Sequence, residues 1–225
     1  MMRIDIITAV PDLLVSPLNT SMISRAQVKR KVEINVHNLR DYTHDKHKQI
    51  DDKPFGGGPG MILKPEPFFE CIEKLQSERK YEHIIFTTPK GKIFEQKAAN
   101  RFSLAGNIII IAGHYKEIDD RVREYFATDE ISIGNFVLTG GELPALIIVD
   151  AVVRVIPGVL NDSEAALQDS FQDGNIVETQ YYTRPAEYRG MKVPDILLSG
   201  NEKEINKWKE EQSKILTEKW KEYNN

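Results

Sequence analysis

Three glycine-bearing segments and two charged residues in unusual company are where this sequence could do chemistry. The segments are Pro89-Lys90-Gly91, Gly113-His114-Tyr115 and the run Ile133-Gly134-Asn135-Phe136-Val137-Leu138-Thr139-Gly140-Gly141-Glu142. Each alone reads as an ordinary turn. Together, at the C-terminal ends of strands, they could present backbone donors and acceptors to an adenine and a ribose, with Phe136 and Leu138 as apolar walls. The charged residues are Arg154, set in an apolar helical stretch, and Asp169, set in an acidic segment. The simplest reading makes Arg154 the partner of Asp150, four residues earlier, and Asp169 the cap of a short turn. A charge in so apolar a helix is costly unless paired or used, which leaves a functional role for Arg154 open.

A second glycine-dense stretch, Lys53-Pro54-Phe55-Gly56-Gly57-Gly58-Pro59-Gly60-Met61, follows the acidic pair Asp51-Asp52. It would let a nucleic-acid backbone approach closely, or serve as a plain surface loop. His44, Asp45 and His47 hint at a metal, but no cysteine lies near them and no second ligand cluster follows, so exposed histidines are the better reading. Neither a phosphate-binding Gly-x-x-x-x-Gly-Lys-Ser/Thr nor a Gly-x-Gly-x-x-Gly after the first strand occurs. Both P-loop enzymes and ordinary Rossmann methyltransferases are thereby disfavoured.

The elements that must hold these residues read as an alternation. Short β-branched runs at 4–8, 32–37, 84–88, 108–112 and 130–133 are separated by helical patterns, which predicts an α/β fold with a mostly parallel sheet. Helices are predicted over 67–80, where Phe68, Phe69, Ile72 and Leu75 recur at helical spacing, and over 95–104 and 118–126. The stretch 142–156 is apolar almost all round and predicts a helix buried on most sides, ended by Pro157-Gly158. The polar, acidic 161–174 reads as a linker. Beyond it, 202–223 gathers Ile205, Trp208, Ile215, Leu216, Trp220 and Tyr223 on one side of a helix, so a small helical C-terminal domain is expected. The expected division is therefore 1–160, a linker 161–174, and 175–225.

Composition narrows the class. Of 225 residues, 40% are hydrophobic and 28% charged, which suits a globular chain and not a disordered or fibrous one. No apolar run approaches the roughly 20 residues of a membrane span, and Arg3 and Asp5 interrupt the N-terminus, so a cytoplasmic protein is expected. The single Cys71 can form no internal disulfide and fits a helix's packed face. Thirty basic against thirty-four acidic residues leave a net charge of −4, so any nucleic-acid contact must come from local patches. Candidates are Arg25, Lys29, Arg30 and Lys31, then His44, Lys46, His47, Lys48 and Lys53.

Several strings are long and chemically odd: DDKPFGGGPGM at 51–61, SIGNFVLTGGELP at 132–144, DAVVRVIPGVL at 150–160, DSF at 169–171, YTRP at 182–185 and VPDILLSG at 193–200. In this order they resemble the bacterial tRNA (guanine-N1)-methyltransferase family, TrmD, as far as about Trp208. The resemblance implies a SPOUT-type sheet with a deep trefoil knot, a homodimer, and methyl transfer from S-adenosylmethionine to N1 of the guanine immediately 3′ of the anticodon of tRNA. It implies a base at Asp169 and a cation at Arg154. It places the cofactor against Pro89, Gly113, Tyr115, Ile133, Gly134, Asn135, Phe136, Val137, Leu138, Gly140, Gly141 and Pro144. The tRNA anticodon stem-loop would meet His47, Asp51 and Arg184. It also implies help from magnesium (Mg2+), with no metal ligand nameable in this chain.

The chemistry of the implied reaction makes demands that these residue types meet. N1 of neutral guanine carries a proton that a base must remove, and a carboxylate in a water-poor site suits that work. Negative charge then builds towards O6, where a fixed guanidinium stabilises it. The chain departs from the family pattern at Lys116-Glu117, where Glu-Gly is usual, at Asn135 for aspartate, at Phe136 for tyrosine and at Lys90 for glutamine, and its C-terminus stops early. Two alternatives follow: a tRNA-binding relative with impaired catalysis, and another SPOUT enzyme acting on ribose or ribosomal RNA.

Overall fold

The computed structural model describes residues 1–160, 169–172 and 174–224. It contains two compact units, residues 1–161 and 162–225. Most of the predicted linker lies outside the described residues.

The first unit is built on a five-stranded parallel sheet: β1 (Met2–Thr8), β2 (Val32–Asn38), β5 (His83–Ile93), β6 (Asn107–Ala112) and β8 (Asp129–Ser132), in the order β2-β1-β6-β5-β8. Alternation along β6 shows why both faces are covered. Ile108 and Ile110 enter one apolar cluster while Ile109 and Ile111 enter another, as strict period-two geometry requires of a strand buried on both sides. The first cluster is closed by α1 (Asp12–Leu18), α2 (Ser21–Val28), α4 (Gln96–Ser103) and α6 (Glu142–Arg154), which contribute Leu14, Ile23, Phe102 and Val149. The second is closed by α3 (Pro65–Glu78) and α5 (Asp120–Phe126), through Phe68, Ile72, Leu75 and Val122. Cys71 lies in this second cluster, and burial pushes its thiol up to about 12, which leaves it inert.

A smaller sheet of two-residue strands, β3 (Asp51–Asp52), β4 (Ile62–Leu63) and β7 (Glu117–Ile118), stands beside the main one. β3 pairs antiparallel with β4, and β4 parallel with β7.

Helix α6 ends at Arg154, two residues before the expected end, and is buried on most sides as expected; its one exposed edge carries Leu143 and Ile147, at 51% and 47%, with Asp150. The helices α1 and α2 carry no strong sequence signal, and Pro17 lies inside α1; packing of Leu14 and Leu18 into the core holds that helix. The last helix keeps Ile205, Trp208, Leu216 and Trp220 of the expected inward stripe and exposes Ile215 and Tyr223.

In the second unit, β9 (Glu187–Tyr188) and β10 (Met191–Lys192) form a hairpin, followed by α7 (Asp195–Leu198) and α8 (Glu202–Asn224). On α8 the inward side is carried by Ile205, Trp208, Leu216 and Trp220 together with polar Gln212, Ser213 and Thr217, while Ile215 and Tyr223 are exposed. The polar members face inward because the backbone of Val177 needs them: its N–H donates to Thr217 Oγ1 at 2.9 Å and its carbonyl accepts from Ser213 Oγ at 2.6 Å. No helix among the described residues is long and apolar enough to cross a membrane.

Candidate active site

The three glycine-bearing segments converge. Thr87, Thr88 and Pro89 of β5, the loop after β6, and the loop between β8 and α6 line one cleft of about 140 Å³ that opens to solvent. It lies towards the C-terminal side of the parallel sheet, where such sheets bind ligands. Of the residues predicted for a cofactor, Pro89, Gly113, Tyr115, Ile133, Gly134, Phe136, Val137, Leu138, Gly140, Gly141 and Pro144 line it; Asn135 is exposed in the same loop without being part of the lining.

Backbone contacts lock the segments together. The Gly141 N–H donates to the Gly113 carbonyl at 2.6 Å, and His114 pairs with Gly140 as an isolated antiparallel bridge. This approach has no space for a side chain at Gly141: a Cβ there would collide with Thr87 Oγ1 and lie 2.9 Å from the Gly113 nitrogen. Tyr115 turns the chain out of the bridge in a left-handed conformation, φ 61°.

The second glycine stretch reaches the same cleft through the small sheet. The Lys116 N–H donates to the Met61 carbonyl at 3.1 Å, which continues the β4–β7 pairing and lays the Lys116 side chain along Gly58 and Gly60. Phe55, at the tip of this stretch, is fully exposed. Asp51 is held in β3, opposite Leu63, while His47 is exposed in a loop tied by Asp45, whose Oδ1 accepts from the His47 N–H at 2.8 Å and the Gln49 N–H at 3.0 Å. Arg40 links that loop to the cleft, donating to the Lys48 carbonyl at 3.0 Å and to the Tyr115 hydroxyl at 3.4 Å. Among the described residues no group of three His, Cys, Asp or Glu side chains converges as a metal cage would need.

Arg154 is half-buried at the C-terminal end of α6, where a cation suits the helix dipole. Asp150 is exposed, so the two are not a buried pair. Asp169 belongs to the second unit, and its neighbours fix its turn: Ser170 Oγ accepts from the Glu178 N–H at 3.0 Å, the Phe171 N–H donates to the Ile176 carbonyl at 2.8 Å, and the Phe171 ring packs on Trp220 at 5.2 Å. Arg184 is exposed beside a groove that it lines with Tyr182, Thr183, Val193 and Leu197.

Sequence reasoning missed Thr87, Thr88, His114 and Lys116 in the lining, and Arg40 and Glu142 around it. His114 and Glu142 stand inside strings already singled out; nothing in their spacing announces that they meet.

The family model described as tRNA (Guanine-1)-methyltransferase TrmD matches residues 2–223. A tRNA (guanine-N(1)-)-methyltransferase of Chlorobaculum tepidum is 55% identical over 216 residues, covering 96% of this chain and 94% of that protein. One of Bacteroides fragilis is 56% identical over 212 residues, 94% of each chain, and one of Bacteroides thetaiotaomicron is 55% identical over 218 residues, covering 97% and 96%. With agreement from end to end at that level, the chain belongs to the tRNA (guanine-1)-methyltransferase TrmD family.

Proposed function

We propose that this protein transfers a methyl group from S-adenosylmethionine to N1 of the guanine immediately 3′ of the anticodon in tRNA, acting as a cytoplasmic homodimer. The observation that carries the reading is the family match across nearly the whole chain. The cleft supports it: apolar walls from Phe136, Val137, Leu138 and Pro144 suit a purine, and the packed backbone of Gly113, Gly140 and Gly141 offers directed N–H and C=O groups.

S-adenosylmethionine, when bound, supplies a methyl group on a positively charged sulfur that a ring nitrogen can attack. The chain's own residues bind, orient and move protons. The cleft residues fix the donor. Asp169 accepts the N1 proton of guanine as that nitrogen attacks, and Arg154 places its guanidinium towards the charge developing at O6. His47, Asp51 and Arg184 meet the anticodon stem-loop, with the second unit as the RNA-binding domain. Among the described residues no three His, Cys, Asp or Glu side chains gather, so any magnesium would depend on RNA phosphates for most of its ligands.

Two structural expectations belong to the same reading. The family resemblance also implies a deep trefoil knot in the first unit. The stripe Leu143 and Ile147 on α6, apolar yet half exposed, suits burial against a second copy, so that donor and base come from opposite subunits.

Incubation of the protein with total tRNA and methyl-labelled S-adenosylmethionine, followed by mapping of the modified nucleotide, tests the reading. Label at N1 of the guanine 3′ of the anticodon is expected. Label on ribose or on another nucleotide rejects the assignment.

A further inference from the structure

Glu142 opens α6 with a carboxylate 1% exposed, and no role in the reaction accounts for it. Its Oε1 accepts from Thr8 Oγ1 at 2.7 Å, at the end of β1, and Thr8 Oγ1 in turn accepts from the Val10 N–H at 2.9 Å. Its Oε2 lies 3.4 Å from Nδ1 of His114, a residue of the cleft wall whose ring packs edge-on against Tyr115 at 5.3 Å. Gly140 makes the meeting possible. A Cβ at that position would collide with Glu142 Oε2 and stand 2.6 Å from His114 Nδ1. One buried carboxylate thus ties together the end of β1, the loop after β6 and the start of α6.

A carboxylate only accepts, so the contact with Nδ1 requires the imidazole proton there. Which nitrogen of a histidine is protonated follows from the hydrogen bond made by the other. We propose that Glu142 is a positioning residue for the methyl donor: it holds His114 as the Nδ1–H tautomer, leaving Nε2 as an acceptor for an amino or hydroxyl group of the bound S-adenosylmethionine. The inference rests on reading the cleft as the donor site.

The test is long-range proton–nitrogen NMR on the full-length, 15N-labelled protein, with His114→Phe identifying the His114 signals among the five histidines. The wild type should carry its proton on Nδ1, and the Nε2 resonance should move when S-adenosylmethionine is added. Glu142→Gln keeps an acceptor for Thr8 but presents an N–H to His114, so the proton should transfer to Nε2 and donor affinity should fall about tenfold, the size of loss seen when a supporting partner of a ligating histidine is removed. In the His114→Phe background the same change should cost nothing further. A wild-type imidazole protonated on Nε2, or losses that add in the double variant, would overturn the proposal even where donor binds normally. Wild-type protein that binds no S-adenosylmethionine would instead overturn the reading of the cleft, whatever the tautomer. If Glu142→Gln fails to fold, the wild-type spectrum alone decides.

Discussion

Lys90 Nζ donates to the Glu117 carboxylate at 2.9 Å, which ties β5 to β7 at the edge of the cleft. The bond and charge of Glu117 hold the Lys90 ammonium above its ordinary value. Both side chains remain accessible, at 74% and 33%, so the pair is screened by solvent and salt. Lys90→Gln should therefore lower stability by less than about 1 kcal/mol. Calorimetry with S-adenosylmethionine should show at most about a threefold weaker affinity at low salt, vanishing near ~0.5 M salt. A large loss that persists at high salt would mean that Lys90 touches the ligand itself.

Gly141→Ala tests whether the cleft depends on bare backbone. The added Cβ meets Thr87 Oγ1, the Gly113 nitrogen at 2.9 Å and the Ala112 Cα at 3.0 Å, and backbone atoms cannot swing aside as a long side chain can. Overpacking of this kind costs about 1–3 kcal/mol, and splaying Gly113 from Gly141 should weaken donor binding at least about tenfold. Thermal unfolding and calorimetry read the two effects separately; an unchanged donor affinity would show that the loops bind without this contact.

How much of this was legible in the sequence follows from how local each signal is. The sheet could be read because runs such as 108–112 are β-branched and short, and two loops of the cleft because Gly113 and Gly134 directly follow such runs; Pro89-Lys90-Gly91, read as a third loop, continues β5. The helix α1 could not, since its sequence includes Pro17 and only burial of Leu14 and Leu18 sustains it. The two-residue strands β3, β4 and β7 are too short to have a period. The meeting of Glu142 with His114 joins residues 28 apart in sequence, and Arg40 with Tyr115 residues 75 apart; composition and spacing carry no trace of either. On α8, hydrophobicity found Ile205, Trp208, Leu216 and Trp220 but not Ser213 and Thr217, which face inward to satisfy backbone groups of Val177.

Acid should destabilise the first unit through Asp5. This carboxylate, fully buried on β1, accepts from Arg3 Nε at 2.7 Å, His37 Nε2 at 2.7 Å and Tyr81 Oη at 2.7 Å. Burial alone would raise its pKa, but hydrogen bonds from His37, Arg3 and Tyr81 outweigh that and hold it below the ordinary 3.8. A depressed carboxyl contributes stability that is present above the unfolded-state value and lost as pH falls through the folded one. Asp5→Asn should cost about 3 kcal/mol at pH 7, since Arg3 loses its counter-charge and His37 and Tyr81 a charged acceptor, and should flatten the acid limb of the stability curve below about pH 4. Denaturant titrations at pH 7 and in the acid range would check both; an unshifted acid limb would place the sensitivity elsewhere.

Ile147→Glu should separate the subunits of the proposed dimer. Leu143 and Ile147 leave one side of α6 apolar and half exposed, while Val149, Val152 and Val153 fill the core from the other side, so a charge at 147 can be solvated in a lone protomer without disturbing the fold. Buried in an interface, the same carboxylate would lack a partner and cost several kcal/mol, of the order of 3–5. Sedimentation should show dimers for the wild type and monomers for the variant, with circular dichroism unchanged. A wild type that is monomeric at every concentration would remove the arrangement in which donor and base come from different subunits.

Asp169→Asn isolates the proton-transfer step. The turn that carries this residue is fixed by contacts of its neighbours, Ser170 Oγ with the Glu178 N–H and Phe171 with Trp220, and asparagine keeps the size and shape of aspartate, so the fold should persist. An amide cannot take the N1 proton of guanine. Single-turnover methyl transfer should therefore fall by about 10²–10⁴-fold, the usual contribution of a positioned base, while affinity for S-adenosylmethionine stays within error because the cleft lining comes from residues 87–144. Raising the pH should restore part of the lost rate in the variant, since a guanine that has already shed its N1 proton needs no base. A variant that retains wild-type turnover at neutral pH would assign the proton to another group and leave Asp169 a structural residue.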